Sequence, residues 1–314
     1  MLVILLDKRK TPLRGATPRL LAVLKSAVQA GTTSDPEWAG ALTEHAQIAQ
    51  GFLASLREFS AFDQALTDGS FLRVPLRTRV SIVTTAAAGA LVGQGDPKPL
   101  TKLALADQQL ALRKVVSIVA VTEELVRSVE AAALALIENE LRRAVATKSD
   151  ETFLDILAQT TGIASAASTG MSAAQFAADL ASALDSLSYG ADARLYLVLP
   201  PAAAKVVAFL RDANGTLYPD MTVSGGTIAG IKVVVSNAAT DAILFDASQI
   251  AANSDTIVID ASSQASIQLD DSPTSPQKMT SLFQSNMRAM RATRFFGAEV
   301  LRPEAVAVIT GVTA

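Results

Sequence analysis

The sequence contains no cysteine and only one histidine among its 314 residues. The absence of cysteine excludes disulfide bonds, thiolate metal sites and cysteine nucleophiles. A serine–histidine–acid triad would have to use His45 as its base. His45 lies in a polar, helix-prone stretch, far from any serine in a strained turn, and we interpret it as a solvated surface residue. We therefore predict no catalytic residues.

Metal and cofactor sites are also missing from the sequence. The acidic pair Asp270–Asp271 lies in a proline-containing loop, and two carboxylates are too few oxygens for a hard cation. The glycine-rich stretch Val92–Gly95 is followed by Pro97 and Pro99, which block the helix that a phosphate-binding turn must open. Gly225–Gly226 fits a turn into a strand better than a binding loop. The sequence thus predicts no metal and no cofactor.

Aromatic residues make up only 5% of the chain, whereas hydrophobic residues make up 50% and the mean hydropathy is +0.33. Much of this hydrophobicity comes from alanine, which buries little area per residue. We therefore expect many small buried surfaces instead of one dense aromatic core, with some of the apolar area buried between subunits. The formal charge of −3 does not favour tight binding of nucleic acid through counterion release.

The sequence lacks a long hydrophobic run. Its longest uncharged stretch, Ile156–Ala178, is rich in Gln, Thr, Ser and Gly, whereas a membrane-spanning helix needs about 20 mostly apolar residues. The opening run Leu2–Leu6 is too short for a signal peptide, and its charges follow it instead of preceding it. We expect a cytoplasmic protein without a membrane span.

A period of two begins near Phe71 and indicates a long two-stranded excursion. Arg77 and Arg79 take one face of the first strand and Thr78 and Val80 the other, and the chain resumes as strand at Leu103–Leu105 and again at Leu110–Val121. The intervening tip carries glycines and prolines. Because an isolated two-stranded ribbon is marginally stable in water, we expect this arm to lie on a neighbouring subunit.

The strongest helical pattern covers residues 122–159. Thr122 is a good N-cap, and Glu123 and Glu124 place negative charge in the first turn, where the helix dipole favours it. An unbroken helix of this length would measure roughly 55 Å, which suits a structural spine. Upstream, two helical stretches are predicted within residues 18–66. Downstream, helices and strands alternate irregularly after a predicted loop at residues 160–170, so we assign the chain to the α+β class.

Four motifs, in this order, resemble those of the major capsid proteins of tailed bacteriophages, whose fold is named after coliphage HK97 and is shared with encapsulins. Val92–Gly95 with its prolines is similar to the family's extended loop, and Val119–Leu125 resembles the start of its spine helix. Pro200–Val233 resembles its axial domain, and Arg294–Gly311 resembles its final peripheral strands.

The resemblance implies an HK97-like α+β fold with four parts. These are an N-terminal arm at residues 1–58, an extended-loop region at 59–115, a peripheral domain at 116–188 and 255–314 that includes the spine helix 122–159, and an axial domain at 189–254. The predicted intersubunit contact residues are Arg77, Arg79, Gly93, Gly95, Lys98, Lys102, Tyr218, Gly225 and Gly226.

The implied function is that of a major capsid protein, which assembles as hexamers and pentamers into an icosahedral virion shell around double-stranded DNA in the host cytoplasm. The implied partners are other copies of the chain, a portal and cement proteins. Because the N-terminal region is too short for the family's scaffolding segment, the resemblance implies either a separate scaffolding protein or assembly without one. Some family members form an isopeptide bond between a loop lysine and a neighbour's asparagine. Lys98, Lys102 and Asn286 lie in comparable regions, but the motif match is too loose to assign them those roles.

Two alternatives remain open at this stage. An encapsulin, which encloses a cargo enzyme instead of a genome, shares the fold. An α/β enzyme built on residues 189–254 is a more distant alternative, against which the lack of a nucleophile, a base and a cofactor loop argues. The contents of purified particles distinguish the first alternative, and the oligomeric state in solution distinguishes the second.

Overall fold

A computed structural model describes residues 60–85, 91–92, 100, 104–128, 131–212, 215–270 and 279–312. The predicted N-terminal arm and its helices, His45, Asp271, and the contact residues Gly93, Gly95, Lys98 and Lys102 lie outside the described residues. The chain is α+β as predicted, with five described helices around two main sheets.

The described helices are α1 (Ala61–Thr67), α2 (Glu123–Ser128), α3 (Ala131–Gln159), α4 (Ala173–Ser186) and α5 (Pro201–Ala208). Two short 3-10 helices cover Ala247–Gln249 and Pro303–Ala305. The strands before α4 are β1 (Leu72–Arg73), β2 (Arg79–Thr85), β3 (Ala104–Gln109), β4 (Arg113–Thr122) and β5 (Ala164–Ala167). The strands after α4 are β6 (Leu195–Leu199), β7 (Arg211–Asp212), β8 (Gly215–Thr216), β9 (Met221–Thr222), β10 (Gly225–Ile228), β11 (Ile231–Val235), β12 (Ala242–Asp246), β13 (Ile250–Ser254), β14 (Val258–Ser262), β15 (Ser266–Ile267), β16 (Thr280–Ser281), β17 (Met287–Val300) and β18 (Val306–Thr310).

The larger sheet has seven strands in the order β5-β18-β12-β6-β11-β10-β9. Its central strands are apolar along almost their whole length because both faces are covered. Val198 and Phe245 lie on the face that packs towards α3, whereas Leu197 and Leu244 lie on the face that packs with α4 and α5. This sheet is therefore covered by α3 on one face and by α4 and α5 on the other.

The second sheet has five strands and is organised by the 14-residue strand β17. On one side of β17, β14 pairs with its first half and β13 with its second half, while β4 pairs along the other side. The short strand β1 extends the sheet beyond β13. Helix α3 covers one face of β4 and β17, where Val121, Leu141 and Met290 form part of a buried cluster.

The sheets divide the chain differently from the predicted domain boundaries. Strand Val306–Thr310, assigned from the resemblance to the peripheral part, is a central strand of the seven-stranded sheet. Strand Ile250–Ser254, assigned to the axial part, pairs with β17 in the five-stranded sheet. The difference arises because sheet membership follows pairing partners distant in sequence. Similarly, Ala164–Ala167, within the predicted loop, is an edge strand whose small residues carry a weak strand signal.

The start of the long helix follows the prediction. The Thr122 hydroxyl accepts a hydrogen bond from the Leu125 amide at 3.4 Å, and Glu123 and Glu124 occupy the first turn of α2. A second helix, α3, ends at Gln159, the predicted end. The two residues between α2 and α3 lie outside the described residues.

The main core is aromatic, which contradicts the expectation of many small surfaces without a dense aromatic centre. Phe62, Phe71, Phe153, Phe245 and Phe296 contact one another, with ring centroids 5.2–6.5 Å apart. The five rings come from α1, the loop before β1, α3 and both sheets. Five of the 11 phenylalanines therefore converge where the sheets and the long helix meet. Composition gives the number of such residues but not their convergence.

Candidate assembly surfaces

A two-stranded ribbon forms a sheet separate from the two main sheets. Strands β2 and β3 pair antiparallel, with Arg79 opposite Gln109 and a register irregularity between Val83 and Thr85. Within the described ranges, this ribbon pairs with no other strand. The predicted first strand is present and its partner β3 overlaps the predicted strand Leu103–Leu105, but the predicted strand Leu110–Val121 is β4, which pairs with β17 in the five-stranded sheet.

The base of the ribbon packs tightly against β17. Leu110 is buried, and its amide donates a hydrogen bond to the Thr78 carbonyl at 3.1 Å. A Cβ atom on Gly297 would lie 2.7 Å from the Ala111 carbonyl oxygen and 3.1 Å from a Leu76 methyl group. Only glycine allows this approach of two backbones, so the ribbon has a fixed root.

The two predicted contact arginines lie at this root and are exposed. Arg79 is the first residue of β2, as the alternation predicted. Arg77 is instead a turn residue with φ +65°, a conformation that is uncommon for residues other than glycine. The predicted strand alternation therefore starts two residues too early. Farther out, Leu91 and Leu100 are fully exposed. Large exposed apolar side chains indicate a surface that meets a partner.

Gly225 and Gly226 begin β10, between β9 and β11. Their φ angles are +111° and +153°, and Cβ atoms there would lie 2.7 Å from the Val233 carbonyl oxygen and 2.1 Å from the Asp220 carbonyl oxygen. The sheet itself therefore requires both glycines. Tyr218 is half-buried, with its ring 6.1 Å from that of Phe176, and burial raises the pKa of its phenol. A contact role for these three residues stays a prediction.

Helix α1 is fixed to the long helix by a buried carboxylate that sequence reasoning missed. Asp150 is 2% exposed and accepts hydrogen bonds from the Ser60 hydroxyl at 3.1 Å, the Phe62 amide at 2.9 Å and the Ser236 hydroxyl. Burial raises the pKa of Asp150 because it disfavours the charged form, although these three donors act in the opposite direction. Asp150 thereby links α1, α3 and the loop after β11.

We expect Asp150→Ala to lower the free energy of unfolding by about 2–4 kcal/mol, because it leaves buried donors unsatisfied. Asp150→Asn keeps an acceptor and is expected to remain close to wild type. Since the folded pKa of Asp150 is raised, the ionised carboxylate costs stability above that pKa, and the cost disappears as the pH falls below the unfolded value. Urea unfolding from neutral to mildly acidic pH should therefore show that the free energy of unfolding of wild type rises relative to that of Asp150→Asn as the pH falls. A constant difference would contradict this sign.

Helix α1 has two further polar links, one to each sheet. Arg294 on β17 is 4% exposed, forms a two-pronged ion pair with Asp63, and donates from Nε to the Ser254 hydroxyl at 2.7 Å. The residue that follows α1, Asp68, accepts from Lys232 and from the Tyr196 hydroxyl at 2.6 Å. The Lys232 ammonium and the Tyr196 hydroxyl hold the pKa of Asp68 below its usual value. Burial, reinforced by Asp68, raises the pKa of Tyr196 to about 12.

Asn286, considered in the sequence for an isopeptide bond, is a turn residue with φ +50°. Its side-chain amide donates to the Glu124 carboxylate at 2.5 Å, and its carbonyl accepts from the Glu123 amide at 2.9 Å. These bonds connect the turn before β17 with the first turn of α2. The described contacts thus give Asn286 a structural role within its own chain, and cross-linking stays untested.

The described residues contain no cluster of three or more acidic or histidine side chains placed to hold a metal ion. Within the same ranges, no helix has the length and apolar character needed to cross a bilayer. The described residues instead form a body whose helices and sheets are joined by polar links and an aromatic core, and a separate two-stranded ribbon whose root contacts β17.

Comparison with known proteins agrees with this arrangement. The model of the phage capsid family matches residues 40–311. A curated relative, the "Capsid polyprotein" of Pseudomonas phage PAJU2, is 30% identical over 324 residues, an alignment that covers 95% of this chain and 48% of the relative. The chain therefore spans about half the length of the curated relative that it matches.

Solved structures give the same fold at low sequence identity. A chain of Gordonia phage Cozz superposes with a TM-score of 0.58 at 16% identity, covering 78% of this chain and 86% of that one. A chain from the capsid of an empty GTA particle superposes with a TM-score of 0.56 at 14% identity, covering 81% and 90%. The match of the family model over most of the sequence, together with this shared architecture, shows that the chain belongs to the phage capsid family and is a structural capsid protein with an HK97-like fold.

Proposed function

We propose that this chain assembles as hexamers and pentamers into an icosahedral shell that encloses double-stranded phage DNA. The observation that carries the proposal is the match of residues 40–311 to the phage capsid family. The separate ribbon supports it, because a two-stranded ribbon without a third strand is marginally stable alone and gains stability on another surface. Phage capsid relatives favour this function over that of an encapsulin.

Two regions supply the contacts between neighbours in this proposal. The ribbon, with Arg77 and Arg79 at its root, overlies the adjacent subunit, and the predicted contact residues Gly93, Gly95, Lys98 and Lys102 take part in the same contact. The hairpins that follow α5, with Tyr218, Gly225 and Gly226, meet their copies around the local axis. Such contacts join different patches on the two subunits. They form a closed ring only when repeated rotation from one subunit to the next returns to the first subunit.

The remaining partners follow from the same proposal. DNA enters the shell through a portal, a scaffolding protein guides assembly, cement proteins bind outside, and assembly takes place in the host cytoplasm. The net charge of −3 suits a container that tolerates DNA without binding it tightly.

The test is to purify particles from the source of the chain, treat them with nuclease and extract what is protected. We expect closed shells that protect double-stranded DNA. Shells that contain a cargo enzyme and no genome would instead identify an encapsulin-like compartment. A small discrete oligomer without shells would contradict the proposal altogether.

A further inference from the structure

Strand β4 has an open edge. It pairs with β17 from Arg113 to Thr122, over ten residues. In the part of the chain that the structure describes, no strand or backbone group bonds to its other edge. A long edge with unpaired amides and carbonyls is a template for another strand, which proteins usually block with proline, bulges or charge. Apart from Arg113 and Lys114 at its start, β4 carries none of these protections.

The side chains beside this edge are also available. Val119 and Val121 point towards α3. Lys114, Val116 and Ile118 lie on the opposite face of the strand and are exposed. Val116 is 39% exposed and Ile118 is 53% exposed. An apolar pair next to an open edge would be stabilised by an opposing strand, because cross-strand pairs of β-branched residues stabilise sheets.

The opposite charges at the two ends of β4 favour an antiparallel partner strand. Arg113 and Lys114 begin the strand, and Glu123 and Glu124 directly follow it. Two copies of β4 that pair antiparallel about a two-fold axis at Ile118 bring the basic start of each strand, Arg113 and Lys114, to the end of the other copy's strand at Thr122, beside the acidic first turn of α2. A parallel pairing would place like charges together, which is destabilising. The edge is therefore complementary to a second copy of itself.

We infer that β4 pairs antiparallel with β4 of a second copy of this chain, with Ile118 opposite its own symmetry mate. Val116 then faces Ala120 of the other copy, and two five-stranded sheets become one continuous ten-stranded sheet. This inference rests on the proposed shell function and adds an isologous two-fold contact to the rotational contacts of the ribbon and the hairpins.

The absence of cysteine from the chain makes the register directly testable. Opposing residues in an antiparallel pair have Cα atoms about 4.5–5.5 Å apart, which is within the range for a disulfide bond. Assembled particles of Ile118→Cys should therefore give a covalent dimer on a non-reducing gel after mild oxidation. Val116→Cys should stay monomeric, because its own mate is displaced by about 14 Å along the strands. The double variant Val116→Cys/Ala120→Cys should again give a dimer.

Val258→Cys is the matched control. Val258 is 52% exposed and lies on the same face of the sheet, but on β14, on the other side of β17 from β4. It should remain monomeric under the same oxidation. Equal dimer yields from Val258→Cys or Val116→Cys would indicate random collision and overturn the inference.

The two proposals fail in different ways. Intact shells in which both Ile118→Cys and the double variant remain monomeric would overturn the β4 contact and leave the capsid function standing. If Ile118→Cys alone fails to assemble, the double variant decides the register. Failure of the wild-type chain to form any shell would count against the proposed function.

Discussion

Deletion of residues 84–98 is expected to leave a folded, soluble subunit that forms no shells. The reason is that the described body makes its core and its polar links without the outer part of the ribbon. Assembly, by contrast, depends on the ribbon lying on a neighbour in the proposed function. The measurement is negative-stain electron microscopy of the variant beside wild type, expressed and purified in the same way.

A control on folding makes that result specific. The thermal unfolding midpoint of the deletion variant should match that of the wild-type subunit before assembly, because the ribbon root at Leu110 and Gly297 is retained. Normal shells from the deletion variant would refute the role of the ribbon. An unfolded or aggregated variant would show that the ribbon contributes to the subunit's own fold.

Replacing Arg294 with alanine is expected to lower the free energy of unfolding by about 3 kcal/mol, near the lower end of the range for breaking a buried ion pair. The substitution removes the two-pronged pair with Asp63, the bond to Ser254 and the contact of the guanidinium with the Phe62 ring, 5.2 Å from its centroid. The lower end applies because Asp63 keeps part of its hydration, with its side chain 38% exposed. Urea unfolding of the unassembled subunit measures the change.

Arg291, on the same strand, is the matched control. It pairs with Asp260 at 2.8 Å, but both side chains are about half exposed. Exposed ion pairs contribute about 0–1 kcal/mol, so Arg291→Ala should change stability by less than about 1 kcal/mol. If both substitutions lowered the free energy of unfolding equally, the buried link between α1 and the five-stranded sheet would not be the source of the stability that Arg294 provides.

Local signals predicted the elements that depend on local chemistry. The N-cap at Thr122 and the end of the long helix at Gln159 were predicted correctly because capping and helical periodicity are encoded within a few residues. The first strand of the ribbon was predicted from its alternation, whereas the predicted return strand Leu110–Val121 was wrong, because it pairs with the distant strand β17. Strand Ala164–Ala167 was missed because alanine and serine have little strand preference and the strand exists through its pairing with β18.

The polar links around α1 could not be predicted from sequence in the same way. In β17, Arg294 has the same parity as Met290, Ala292 and Phe296, so alternation alone would place it on the buried face. A buried arginine needs an acid, but its partner Asp63 is 231 residues away. Asp150 similarly lies among helical residues with no local sign that Ser60 and Ser236 surround it. Spatial convergence of distant residues, not composition, decides these sites and the aromatic core.

The most direct test of the central claim is a cryo-electron microscopy reconstruction of particles assembled from this chain. We predict a closed icosahedral shell in which the ribbon of each subunit, rooted between Thr78 and Leu110, lies across the neighbouring subunit. A discrete small oligomer, or a shell in which each ribbon folds back onto its own subunit, would contradict the account.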